Sequence, residues 1–136
     1  MRKRITAAFL TLLMLICFMV NTHAALPETV EPLWDNIQNA SIDFFFNDPA
    51  SVVSTITGKT GSTNITATLN VYQQTNNGWT VVGRDYGSTS AQFLALRVEY
   101  DAVPGAYYQA VLNFSVTIDG VVETETLYEF ATCPRN

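Results

Sequence analysis

The stretch AYYQAVLNFSVT, residues 106–117, decides how the rest of the chain is read. Tyr108, Ala110, Leu112, Phe114 and Val116 alternate with Tyr107, Gln109, Asn113, Ser115 and Thr117, and Val111 is the one aliphatic residue in the second set. A period of two describes an extended strand with one side in a core and the other in water. A helix would spread the same residues around its circumference.

The pattern repeats outward from this strand. Ile65, Ala67, Leu69 and Val71 alternate with Asn64, Thr66, Thr68 and Asn70, and Leu94, Leu96, Val98 and Tyr100 alternate with Phe93, Ala95, Arg97 and Glu99. A fourth row, Val122, Thr124, Thr126, Tyr128 and Phe130, is expected to face inward, opposite Glu123, Glu125 and Glu129. Shorter runs at 41–46 (Ile42, Phe44, Phe46), 51–57 and 79–84 complete seven strands, separated by Gly, Asn, Pro and Ser. Seven short strands in a chain of this size describe an all-β fold, an immunoglobulin-like or fibronectin type III-like sandwich.

Loop length sets the register of two hairpins. A two-residue Asp119-Gly120 turn would carry Glu123 and Glu125 to the side of Phe114. A three-residue loop Ile118-Asp119-Gly120 with a left-handed Gly120 keeps both glutamates outside and is the expected arrangement. The same parity at Asn76-Asn77-Gly78 places Trp79 and Val81 on the side of Val71. At Val103-Pro-Gly-Ala-Tyr-Tyr108, the turn resembles a fibronectin type III corner, in which a buried tyrosine, here Tyr108, hydrogen-bonds an upstream backbone group.

The first 24 residues read as a cleaved signal peptide: basic Met1-Arg-Lys-Arg4, an uncharged run Ile5–Val20, and small residues in Thr22-His23-Ala24. As a helix the run spans roughly 24 Å, short of the ~30 Å hydrocarbon core. An uncleaved anchor therefore fits less well, and Leu15-Ile16 before Cys17 does not suit a lipoprotein signal. Residues 25–39 read as a linker, with a short helical turn through Leu33, Trp34 and Ile37 opened by Pro32, and 40–133 as the domain.

Processing changes the chemistry available. It removes three of seven basic residues, the single His23 and Cys17, and shifts the formal charge from −5 to −8. Without histidine, Ser-His-Asp and Cys-His catalysis and nearly every zinc site are out of reach. The scattered Lys59, Arg84, Arg97 and Arg135 are no nucleic-acid surface. Asp43, Asp48, Asp101 and Asp119 lack a calcium-loop spacing. No cofactor, no metal and no catalytic residue is expected. The alternative is a small carbohydrate-binding domain, or a carboxylate-dependent carbohydrate-active one using a glutamate pair such as Glu123 and Glu125, against the reading of those glutamates as an edge-blunting charge row. The sequons Asn39-Ala-Ser41, Asn64-Ile-Thr66 and Asn113-Phe-Ser115 matter only in a eukaryotic secretory route. Cys133, unpaired in an exported chain, is either a free thiol or the link of a dimer.

Surface recognition remains. Tyr72, Phe93 and Tyr107 point outward by parity and Tyr86 falls in a Gly-Ser loop, so these four are the candidate binding residues for a cell-surface protein or glycan. The competing account makes them cross-strand pairs that stabilise the sheet. The expected role is that of a secreted, extracellular, non-enzymatic binding protein, with no membrane partner once the leader is gone.

From Pro32-Leu-Trp-Asp-Asn-Ile37 through Gly58-Lys-Thr-Gly61, Asn77-Gly-Trp79, Gly105-Ala-Tyr-Tyr108 and Asp119-Gly-Val-Val-Glu123 to Ala131-Thr-Cys133, the chain resembles small secreted, functionally uncharacterised proteins of gut-type Firmicutes. That resemblance implies Gram-positive export and a small β-sandwich, and brings no catalytic motif. Similar chains often carry a second-strand cysteine able to bridge the terminal one; here Val52 and Val53 stand in its place.

Overall fold

A computed structural model describes residues 33–135. The expected signal peptide and residues 25–32 of the linker lie outside the described residues. Seven strands form: β1 (Ile37–Phe45), β2 (Ala50–Gly58), β3 (Ser62–Thr75), β4 (Gly78–Thr89), β5 (Phe93–Tyr100), β6 (Tyr107–Ile118) and β7 (Val121–Thr132). They make two antiparallel sheets, ordered β1-β2-β5 and β4-β3-β6-β7. The fold is a β-sandwich with no helix among the described residues. Two linker expectations change: Ile37, Gln38 and Asn39 open β1, and residues 33–36 form a bend rather than a helical turn.

The rows of β3, β5 and β6 are inward as alternation predicts. Tyr108, Ala110, Leu112 and Val116 of β6 are wholly buried, beside Ile65, Leu69 and Val71 of β3 and facing Val52 and Ile56 of β2 and Leu96 and Val98 of β5. Trp34 closes one end of the sandwich by meeting Phe114 edge-on, ring centroids 6.5 Å apart. At the other end the Tyr108 hydroxyl accepts the Val103 N–H at 2.8 Å, the backbone partner that a buried phenol at this turn requires.

The β6–β7 hairpin departs from the expected loop. Asp119 (φ 50°) and Gly120 (φ 77°) both occupy the left-handed region, and Ile118 pairs with Val121. This is the two-residue type I′ turn that Asp-Gly favours, because its twist matches that of the strands. Every residue of β7 is consequently on the opposite side from the one anticipated: Glu123, Glu125, Leu127 and Glu129 share the side of Val116, Phe114, Leu112 and Ala110, whereas Val122, Thr124, Thr126, Tyr128 and Phe130 face outward.

The objection to an inward Glu123 is met by the chain itself. Its carboxylate accepts the backbone N–H groups of Asp35 (3.1 Å), Asn36 (2.6 Å) and Ile37 (3.2 Å). The Asn36 amide in turn donates to the carbonyls of Val116 (3.1 Å) and Val121 (2.8 Å). These bonds replace the solvation that an inward carboxylate loses. Glu125 and Glu129 escape the same cost because β7 is an edge strand, where the inner side opens to water at the flank.

Glu123→Ala is expected to destabilise the domain by about 2–4 kcal/mol, the loss of charge-assisted bonds to partly buried donors. Glu125→Ala is expected to stay within about 0.5 kcal/mol, as surface changes do. Urea midpoints of the two variants check this; equal effects would contradict the assigned register.

Candidate functional site

The hairpin between β3 and β4 is the second departure. Gly78 takes the positive φ of 106° but pairs with Thr75, so the loop is Asn76-Asn77, and Trp79 and Val81 pair with Gln74 and Tyr72. They point outward rather than to the side of Val71. The register then shifts between Val71 and Tyr72, with Val82 as the extra residue. This β-bulge inverts the parity of the rest of the strand: beyond it Arg84, Tyr86 and Ser88 pair with Asn70, Thr68 and Thr66 and face outward. Tyr86 therefore belongs to β4, not to a Gly-Ser loop. On the inner side, Gly83 and Gly87 let β4 lie directly on β5, since a Cβ on Gly83 would stand 2.2 Å from the Val98 side chain.

The two turns and the bulge together collect aromatic side chains on the outer face of the four-stranded sheet. Trp79, Tyr107 and Phe130, from β4, β6 and β7, form one cluster with ring centroids 5.9 Å (Trp79–Tyr107), 6.3 Å (Trp79–Phe130) and 5.9 Å (Tyr107–Phe130) apart. Tyr128 (59 % exposed) is the next outward residue after Phe130 on β7, and Tyr86 (66 % exposed) lies further along the same face. Tyr72 lies between Val81 and Gln109 in the row beside the cluster. Of the four residues singled out in the sequence, Tyr72, Tyr86 and Tyr107 are thus brought together. Phe93 is not: it sits at the start of β5, paired with Thr57, on the outer face of the other sheet.

Hydroxyl and amide side chains, with Val81, Val111 and Val122 among them, make up most of the remainder of the aromatic-bearing face. Thr66 and Ser115 hydrogen-bond at 2.7 Å, Thr126 donates to Asn113 at 2.8 Å and Ser88 to Asn64 at 3.3 Å. A shallow depression of about 200 Å³ lies among Thr68, Asn113, Thr124 and Tyr86. Arg84 is the one charged residue at the outward positions of β3, β4, β6 and β7, and its guanidinium is held by the Asn70 amide oxygen. The outer face of the other sheet differs, with Asp43 and an Arg97–Glu99 ion pair at 3.0 Å.

Sequence reasoning missed Trp79, Tyr128 and Phe130, because two loop lengths were misjudged by one residue and each error turned a strand over. The signal was present: Asp-Gly between two alternating runs is the strongest short-range indication of a two-residue turn. The bulge at Val82 had no such signal.

A second concavity, about 480 Å³, opens at one end of the sandwich among Phe46, Asp48, Tyr100, Asp101, Pro104 and Cys133. The thiol of Cys133 is free, and the residue is only 7 % exposed. Its backbone is tied to Ala106 and Gly105 by two bonds of 2.9 Å. An interchain disulfide through it requires this terminal segment to leave the sheet. Among the described residues no group of three or more His, Cys, Asp or Glu side chains is placed to hold a metal ion, and no helix is long and apolar enough to cross a membrane.

Neither a comparison with protein-family models nor a search of curated proteins finds a match to this chain.

The Tyr100 hydroxyl beside this concavity is buried without a hydrogen-bond partner. Burial, with Tyr108 and Cys133 close by, pushes its phenol well above the ordinary value of 10.0. The folded chain therefore keeps this proton where the unfolded chain has lost it, so the stabilisation is complete below about pH 10 and is lost as pH rises beyond that. Tyr100→Phe is expected to change stability at neutral pH by less than about 1 kcal/mol, since no bond is broken, and to weaken the decline above about pH 10. Urea midpoints at both pH values decide; an unchanged alkaline decline would contradict the assignment.

Proposed function

We propose that the chain is an exported, non-enzymatic domain that works by binding at the cell surface or in the extracellular space, and that the outer face of the four-stranded sheet is its binding surface. One observation carries this reading: Trp79, Tyr107 and Phe130 converge from three strands onto a solvent-facing surface whose outward positions hold a single charged side chain. Contiguous exposed apolar surface is uncommon on a soluble monomer and marks recognition sites. Sheet stabilisation by cross-strand aromatic pairs accounts for Tyr107 on Phe130, but not for Tyr86 and Tyr128, whose partners across the sheet are Thr68 and Val111.

The finer fold assignment belongs to the same proposal. Three strands ordered β1-β2-β5 against four ordered β4-β3-β6-β7, with a tyrosine corner at Tyr108, support a fibronectin type III-like sandwich, a scaffold that serves recognition. The leader features of residues 1–24 and the resemblance to secreted Firmicutes chains support export. Carboxylate catalysis is the weaker reading, because Glu123 is engaged by three main-chain donors instead of facing an open cleft.

The test is binding of labelled protein to whole Gram-positive cells. Trp79→Ala and Tyr107→Ala are expected to weaken it at least about tenfold, the effect of losing one well-stacked anchor. Phe93→Ala, on the opposite sheet, is expected to bind as the native protein does. Equal binding by all three would refute the assignment of the face.

A further inference from the structure

We infer that the ligand of this face is an uncharged polysaccharide chain lying across the sheet; the inference rests on the proposed binding surface and narrows it to one chemistry. Charge is the first argument. Twelve acidic residues are present in the chain, yet none takes an outward position on these four strands, and the Arg84 guanidinium is already held by Asn70. An anionic polymer would meet a single cation there, Arg84, with one of its donors already given to Asn70. A protein partner would bring charged groups to a surface with only Arg84 to pair them, at the desolvation cost such groups carry.

The second argument is the pairing of ring faces with small polar groups. Aromatic side chains offer an apolar π face together with a polar edge or tip, which suits the alternation of C–H faces and hydroxyls on a pyranose. The cluster at Trp79 supplies one such platform, Tyr128 extends it as the next outward residue after Phe130 on β7, and Tyr86 supplies another further along β4. In the row of Tyr86, Thr126 is bonded to Asn113, and in the next row Thr66 to Ser115, each using part of its hydrogen-bonding capacity. A hydroxyl has one donor and two acceptor positions, so a sugar hydroxyl can bond these groups without displacing the existing pairs.

Shape is the third. The row of Phe130 and the row of Thr124 are six residues apart on β7, hence about 20 Å along the strand. The face between them holds a shallow depression rather than an enclosed pocket. That is a platform for internal units of a chain, not a socket for a single sugar or a chain end.

The experiment is native electrophoresis of the purified protein through gels containing galactomannan, xyloglucan or mixed-linkage glucan, and through gels containing polygalacturonate. At least one uncharged polymer is expected to retard the protein, unaffected by salt up to about 1 M, where exposed charge interactions are screened; polygalacturonate is expected to have no effect. Trp79→Ala and, independently, Tyr128→Ala should abolish retardation while Phe93→Ala retains it, with circular dichroism confirming that each variant folds. In a double check, Trp34→Phe leaves Trp79 as the sole tryptophan, and its emission should shift on adding the retarding polymer. No retardation by any uncharged polymer, retardation by polygalacturonate alone, or retardation undiminished in Trp79→Ala overturns the inference. If the gels fail while Trp79→Ala still loses binding to whole cells, the face stands as a surface for a protein partner and the polysaccharide reading falls. If Trp79→Ala binds cells normally, both fall.

Discussion

A carboxylate turned toward the inside of a sandwich survives only where donors replace the water it has lost. Glu123 meets that condition through the chain just before β1, whose N–H groups at Asp35, Asn36 and Ile37 converge on its two oxygens. The contact joins the first strand of one sheet to the last strand of the other, across a sequence separation of 86–88 residues. It also stabilises the register that the Asp119-Gly120 turn creates, because sliding β7 by one residue would carry Glu123 outside and leave these donors unmatched. The composition of the outer sheet face depends on that register.

With β7 so placed, acidic and aromatic side chains separate. Glu125 and Glu129 lie on the inner side of an edge strand, and Asp85 of β4 accepts the Arg97 N–H of β5 at 3.0 Å, occupying a donor on the exposed edge of the other sheet. Inward-side charges and covered edge donors are both means of discouraging strand addition. The acids at the edges are therefore absent from the broad face, which is left to rings, hydroxyls and amides. Edge protection and the aromatic face use different sides of the same strands, so neither compromises the other.

The ends of the sandwich show how polar groups are managed when burial is complete. Tyr108 is wholly buried and satisfied by the Val103 N–H, whereas its neighbour Tyr100, 5.0 Å away ring to ring, keeps an unpartnered hydroxyl. Tyr108 ties the Val103–Ala106 turn to the start of β6, and Cys133 fastens the terminal segment onto the same turn. This end of the domain is held by main-chain bonds, without a covalent bridge among the described residues.

Local pattern was enough for the seven strands, the inward rows of β3, β5 and β6, and the corner at Tyr108, because period-two burial is written into neighbouring residues and needs no knowledge of the partner strand. It was also enough to place Tyr72 and Tyr107 on the wet side. The sides of β4 and β7 were not legible in this way. Trp79, Tyr128 and Phe130 are as apolar as core residues, and Glu123 as polar as surface ones, so hydropathy alone turns both strands over. What reversed them was tertiary: donors for Glu123 brought from far away in sequence, and a bulge at Val82 that lets β4 follow β5 and return Tyr86 to the face of Trp79. A side chain's side is set by register, and register is chosen by the whole set of contacts that it satisfies, not by the residue's own affinity for water.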